Sequence, residues 1–245
     1  MRINLKKIKY YYLTVPNKIR KEHILKEFKE YDLTEVNPVL QGINISKVQS
    51  GATGMSRILD LALQNQDRKK PFQPFVIFED DVKKYREFPV NINIPDDADI
   101  FYIGLSKYGL KKSDLSKYVS YNHVDNDIIK VNNMLALHGL IICSMRGLLA
   151  FQKCLFEDFF NRRGYDIAMA HMLPHINAYA FRKPLVYQYY KIGGQERPTK
   201  IEFLKKNVSM PYDWINRRNI SIVTNYKKVN SDIRKKQKVH NLISK

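Results

Sequence analysis

At 245 residues, the chain is long enough for one large α/β domain or for a core domain with an added tail. Its apolar fraction of 44% supports a sizeable buried core, and no uninterrupted apolar run approaches the ~18–20 residues of a membrane span. A formal charge of +18 admits nucleic-acid, anionic-membrane or anionic small-molecule partners, and charge alone does not choose among them.

The N-terminus, Met1 to Lys7, is too polar for a secretory signal, so the sequence reads as cytoplasmic. The run Ile8 to Val15 is rich in aromatic and β-branched residues and stops at Pro16, which predicts a buried strand. Asn17 then caps a helix through about Glu30, with Ile24, Leu25 and Phe28 on one face. Thr34 to Val39 reads as a short strand. Ser50 precedes an amphipathic helix in which Met55, Ile58, Leu59, Ala62 and Leu63 recur at helical spacing. Phe75 to Phe78 is a short apolar strand running into Glu79, Asp80 and Asp81. Asp99 to Gly104 is a further strand, and His138 to Ser144 a central one, followed by a helix to about Phe160. Asp166 opens another helical pattern, and Pro184 to Gln188 is a last strand-like run. Cys143 and Cys154 lie in apolar segments with no metal-ligand spacing and are expected to be buried thiols.

Strands alternating with helices predict a single α/β domain over residues 1–200, with a mostly parallel sheet covered by helices on both faces. Residues 201–245 lose this periodicity and carry eleven basic residues against three acidic ones, a net +8. They are read as a basic C-terminal extension, either a solvated tail or a peripheral contact with an anionic membrane.

Carboxylates at the end of a buried strand repel one another unless a cation is near. Strand alternation puts Glu79 and Asp81 on one face and Asp80 on the other. In open α/β sheets, ligands bind in the crevice beyond the carboxyl ends of the strands. Mg²⁺ or Mn²⁺ held there by one or two carboxylates would bridge to a diphosphate, whereas in the alternative reading the triplet merely begins a polar loop.

Four segments carry a family resemblance: Ser50 to Arg57, Phe75 to Val82 (FVIFEDDV), His138 to Ser144, and Asp166 followed by Pro184 to Gln188. In order and spacing they resemble the lipopolysaccharide and collagen glycosyltransferases known as family 25, within the GT-A superfold. The chain is also similar to glycosyltransferases of large DNA viruses, which would place it in host cytoplasm or a virion. The resemblance covers about Tyr10 to Gln188 and implies a GT-A-like, Rossmann-type domain. Such a domain transfers a hexose from a nucleotide sugar, commonly a UDP-sugar, to a hydroxyl of a glycan or glycoconjugate. It implies that Asp81 binds the metal and that Glu79 contacts it or the donor. Arg57 stands where the family has histidine, and the chain lacks the further domains of the collagen enzymes.

The remaining candidates are positional. Asp166 is the candidate general base of an inverting transfer, or a plain helix cap. Thr14, Val15 and Pro16 end the first strand beside the crevice and are expected to hold the nucleotide, with Arg20 reaching a phosphate. Asp80 and Arg57 complete the expected donor contacts. Lys191 and Arg197 flank paired glycines in a segment read either as closing over the leaving diphosphate or as a surface loop. His138 is a substrate-orienting or a structural histidine, and His171 with His175 has i, i+4 ligand spacing interrupted by Pro174. Two other functions compete: a basic nucleic-acid-binding protein and an inactive glycosyltransferase-like scaffold. The first needs exposed aromatic residues interleaved with basic ones, and Tyr10 to Tyr12 sit in too apolar a run for that, so nucleic acid is not an expected partner.

Overall fold

The computed structural model describes residues 1–38, 46–67, 69–106, 108–110, 119–161 and 164–192. A short strand β1 (Arg2–Asn4) precedes the tyrosine-rich β2 (Lys9–Leu13). Helix α1 (Lys18–Glu27) follows, capped as expected by Asn17, whose side chain accepts from Arg20 N at 3.2 Å. Ile24 and Phe28 are buried, whereas Leu25, expected on the same face, is 42% exposed. After β3 (Leu33–Val36) comes α2 (Lys47–Gln64), which begins earlier than Ser50. Ser46 and Gln49 form a reciprocal capping box, so Ser50 lies inside the first turns. Met55, Ile58, Leu59 and Ala62 are buried as the pattern predicts, and Leu63 falls on the exposed edge.

Strand β4 (Phe75–Glu79) is followed by β5 (Val82–Lys84), β6 (Asn91–Asn93) and β7 (Ile100–Tyr102). A hairpin of β8 (Ser120–His123) and β9 (Ile128–Asn133) comes next. Its turn is fixed by the Asp125 carboxylate, which accepts from Asp127 N and Ile128 N, both at 2.7 Å. Strand β10 (Gly139–Ile142) leads into α3 (Met145–Asn161) and α4 (Tyr165–Met172). The described chain closes with β11 (Ala178–Phe181), β12 (Val186–Gln188) and a 3-10 turn, Tyr190–Ile192.

These elements make an α/β fold around one eight-stranded sheet ordered β3-β2-β4-β10-β7-β11-β9-β8. The expectation of a mostly parallel sheet is corrected: β2 pairs in parallel with β3 and β4, and β7 with β11, but β10 is antiparallel to both its neighbours and β9 to both of its own. The apolar run of β10, buried on both faces, reports its central position and not its direction. β12 also lies outside this sheet, pairing antiparallel with β5 so that Gln188 stands opposite Val82.

Strand alternation splits the core in two. Tyr11, Leu13, Phe75, Ile77, Leu140 and Ile142 face α2, α3 and α4. Tyr10, Tyr12, Val76, Phe78 and Ile141 face the other way, toward Ile24 and Phe28 of α1. Helices therefore cover both faces. The hydroxyls of the three buried tyrosines of β2 are each satisfied: Tyr10 donates to Leu5 O at 2.8 Å, Tyr12 to Glu35 at 2.9 Å, and Tyr11 accepts from Asn65 at 3.0 Å. They form no exposed aromatic platform. Cys143 and Cys154 are buried free thiols, and burial pushes both thiol pKa values up. Among the described residues, no helix is long and apolar enough to cross a membrane. Arg197 and the basic 201–245 segment lie outside the described residues.

The capping box yields a direct test. Ser46→Ala should lower stability by about 0.5–2 kcal/mol in urea denaturation, because a helix N–H loses its acceptor where α2 begins.

Candidate functional site

Chain order places the carboxyl ends of β2 and β4 at a reversal. From β2 the chain crosses by α1 to β3 on one side, then returns by α2 to β4 on the other. Adjacent strands whose connections diverge leave a crevice beyond their carboxyl ends. Thr14 and Val15 end one wall of it, and Glu79, Asp80 and Asp81 end the other.

Asp80 is 3% exposed, and both of its carboxylate oxygens are engaged. Oδ2 accepts from Thr14 Oγ1 at 3.0 Å and from Val15 N at 3.2 Å, and Oδ1 accepts from Arg20 at 2.7 Å. The same guanidinium lies 3.6 Å from Asp81 and donates through Nε to Ile192 O at 3.0 Å. Thr14, Val15, Arg20 and Asp80, expected to meet the donor, thus form an internal network beneath the crevice. Pro16 is exposed beside it.

Glu79 and Asp81 are different. Burial, reinforced by the neighbouring carboxylates, raises the Glu79 pKa. Burial likewise raises that of Asp81, against the opposing pull of Arg20. Glu79 accepts from Gln188 Nε2 at 2.9 Å and from the Tyr165 hydroxyl at 3.3 Å. The Gln188 amide also moderates the rise at Asp81, so the β5–β12 pairing delivers a donor to both acids. Asp81 Oδ1 is enclosed and has no hydrogen-bond partner among the described residues.

Beside these acids lies a cleft of about 340 Å³ lined by Glu79, His138, Tyr165, Asp166, Gln188 and the segment Leu135–Leu137. Asp166 is not the helix cap. Gly164 is the N-cap of α4, at φ 103°, a backbone conformation that favours glycine, and its N–H donates to Asp158 at 2.5 Å. The Asp166 carboxyl is left at the cleft, its pKa raised by burial and held back by the N–H of Ile167 at 2.9 Å. Burial keeps Tyr165 protonated, so its hydroxyl donates to Glu79. A methyl group at Gly51 would come within 2.9 Å of the Tyr165 ring, which is why α2 carries glycine where it meets α4. His138 is 1% exposed, and burial lowers its pKa to about 4, leaving a neutral imidazole.

Other candidates stand apart. Arg57 is exposed and donates to Asn37 O at 2.9 Å, and Lys191 is exposed in the last 3-10 turn. Gln188 and Tyr165 are not among the site residues that the sequence singles out. Gln188 closes the Pro184–Gln188 run, but only the β5–β12 pairing shows where its amide goes. A second recess, about 310 Å³, opens near the start of β2 and β4. There the Gln66 side chain donates to Gln73 O and accepts from Gln73 N, and Asn65 donates to the Tyr11 hydroxyl.

Among the described residues, no three histidine, cysteine, aspartate or glutamate side chains are grouped to hold a metal. Mg²⁺ bound through one or two carboxylates, a substrate phosphate and water needs no such group. The enclosed, unpartnered Asp81 Oδ1 fits one such ligand, whereas both Glu79 oxygens are already engaged. No protein-family model matches the sequence, and no curated protein is significantly similar to it.

The raised Glu79 carboxyl has a thermodynamic consequence with a definite sign. Above the ordinary carboxylate range the folded chain holds a proton that the unfolded chain has released, so stability falls as pH rises through the folded value. Glu79→Gln should remove this dependence. By pH 8 its Tm should exceed wild type by at least about 2–4 °C, the shift of 1 kcal/mol at this size, with little difference at pH 4.5. Differential scanning fluorimetry across that range checks it.

Proposed function

We propose that the chain is a glycosyltransferase that uses a nucleotide sugar. More narrowly, we read it as a metal-dependent hexosyltransferase of GT-A type, related to the lipopolysaccharide and collagen enzymes of family 25, with a UDP-sugar as donor and a glycan or glycoconjugate hydroxyl as acceptor. The carrying observation is the pair of acids, Glu79 and Asp81, whose negative charge is under-compensated where β4 ends, beside a cleft that also holds Asp166. A site that disfavours its own anions favours a cation and the diphosphate that accompanies it.

In this reading Asp81, through its free oxygen, is the carboxylate ligand of Mg²⁺ or Mn²⁺, with Glu79 oriented by Tyr165 and Gln188 to meet the donor. The ion, when bound, neutralises charge on the donor diphosphate. Asp166 accepts the proton of the acceptor hydroxyl as that oxygen bonds to the anomeric carbon and the bond from that carbon to the diphosphate oxygen breaks. Burial raises its pKa, the direction that makes a carboxylate a stronger base. If transfer retains configuration, Asp166 instead binds a substrate hydroxyl. Lys191, exposed beyond β12, would be the cation that offsets charge on the leaving diphosphate. The basic 201–245 segment would hold the enzyme near an anionic membrane.

The test is thermal stabilisation by a panel of nucleotide sugars with Mn²⁺. A UDP-sugar should raise Tm by several degrees, and Asp81→Ala should abolish the shift. Asp166→Asn should keep the shift and lower transfer at least 100-fold, the scale of general base catalysis. Absence of any response, together with salt-sensitive nucleic-acid binding, would replace this reading with the nucleic-acid one. Donor binding by wild type without transfer or hydrolysis would leave an inactive scaffold.

A further inference from the structure

Strand register sets three positions in a row at the head of the sheet, on the face that meets α2, α3 and α4. The β4–β10 register continues to bring Glu79 beside His138, with Glu79 N 3.4 Å from His138 O. The β10–β7 register brings Gly104 to its other side, Gly104 N donating to Gly139 O at 3.0 Å. The His138 ring leans over Gly104, where a methyl group would come within 2.3 Å of Nε2.

His138 lines the cleft, and its Nε2, enclosed over Gly104, has no hydrogen-bond partner among the described residues. Every residue of β10 that follows it is glycine, leucine or isoleucine. An apolar side chain of similar shape would fill the position without leaving a buried nitrogen unpaired, so packing alone does not account for histidine. The ring is neutral, which gives it one N–H donor and one acceptor nitrogen. A hydroxyl also both donates and accepts. A phosphate accepts but brings negative charge, and the described lining contains Glu79 and Asp166 and no lysine or arginine to offset it. The cleft therefore suits the uncharged polyol part of a donor, with the diphosphate outside it.

We infer that His138 is the specificity-determining residue of the cleft, hydrogen-bonding one hydroxyl of the transferred sugar and so discriminating between donors that differ at that hydroxyl. This rests on the glycosyltransferase reading. A site built to hydrogen-bond a hydroxyl rejects analogues that lack or misplace it, because its own polar group is then left unpaired.

The experiment compares wild type with His138→Leu for binding of nucleotide sugars, their epimers and the bare nucleoside diphosphates, all with Mn²⁺. Affinity for the bare diphosphate should be unchanged in His138→Leu, while discrimination between the preferred sugar and its epimers falls at least about tenfold. Wild-type discrimination in the variant would overturn the inference and leave the glycosyltransferase reading intact. Loss of discrimination between acceptor sugars, with donor selectivity kept, would also overturn it. Failure of wild type to bind any nucleotide or nucleotide sugar would overturn both. A second measurement needs no variant: the imidazole ¹⁵N resonances of His138 should move on binding the nucleotide sugar and not on binding its diphosphate. Equal movement, or none, sinks the assignment.

Discussion

The buried ion pair between Arg20 and Asp80 is the interaction on which the crevice depends. A carboxylate that is only 3% exposed needs both an opposite charge and hydrogen bonds to offset its burial, and Asp80 receives them from two other parts of the chain. Thr14 and Val15 come from the end of β2, Arg20 from α1, and Asp80 itself from the end of β4. The guanidinium also grips Ile192 O, so the segment after β12 is fastened to the same point. Removing one partner of such a pair costs about 3–5 kcal/mol, far more than an exposed salt bridge of similar length.

That arrangement divides three consecutive acids into two kinds. Asp80 points to the α1 side of the sheet and is fully neutralised, which locks the strand end in place. Glu79 and Asp81 receive only an amide, a phenol and a distant share of Arg20, and their carboxyl groups hold protons more tightly than free carboxyls do. A rigid anchor thus sits directly beside two acids in an unfavourable state. Precision of this kind is what a ligand site needs, because the supporting residues rather than the ligand fix the geometry.

Much of this was legible in the sequence, and for identifiable reasons. Period-2 alternation alone separates Asp80 from its neighbours, and the apolar runs locate β2, β4, β7 and β10. Direction was not legible: Leu140 to Ile142 would read the same in a parallel or an antiparallel strand. The β8–β9 hairpin escaped because Lys130, Asn132 and Asn133 interrupt its apolar residues, although Asp125 marks its turn. The start of α2 could have been found, since Ser46 and Gln49 have capping-box spacing. The partner of Arg20 could not: a sequence shows a cation after a strand, and only the fold shows that it pairs with Asp80. Gln188 is similar, since its role exists only once β12 lies on β5.

The bond from Gln188 to Glu79 also has a meaning for how the chain comes into being. Its partners are 109 residues apart, so the acidic strand end is synthesised long before its amide exists. Such a long-range closure is slow and comes late relative to the local α1 and α2 contacts around β2 and β4. During synthesis Glu79 therefore exists before either residue that pairs with it, Tyr165 and Gln188.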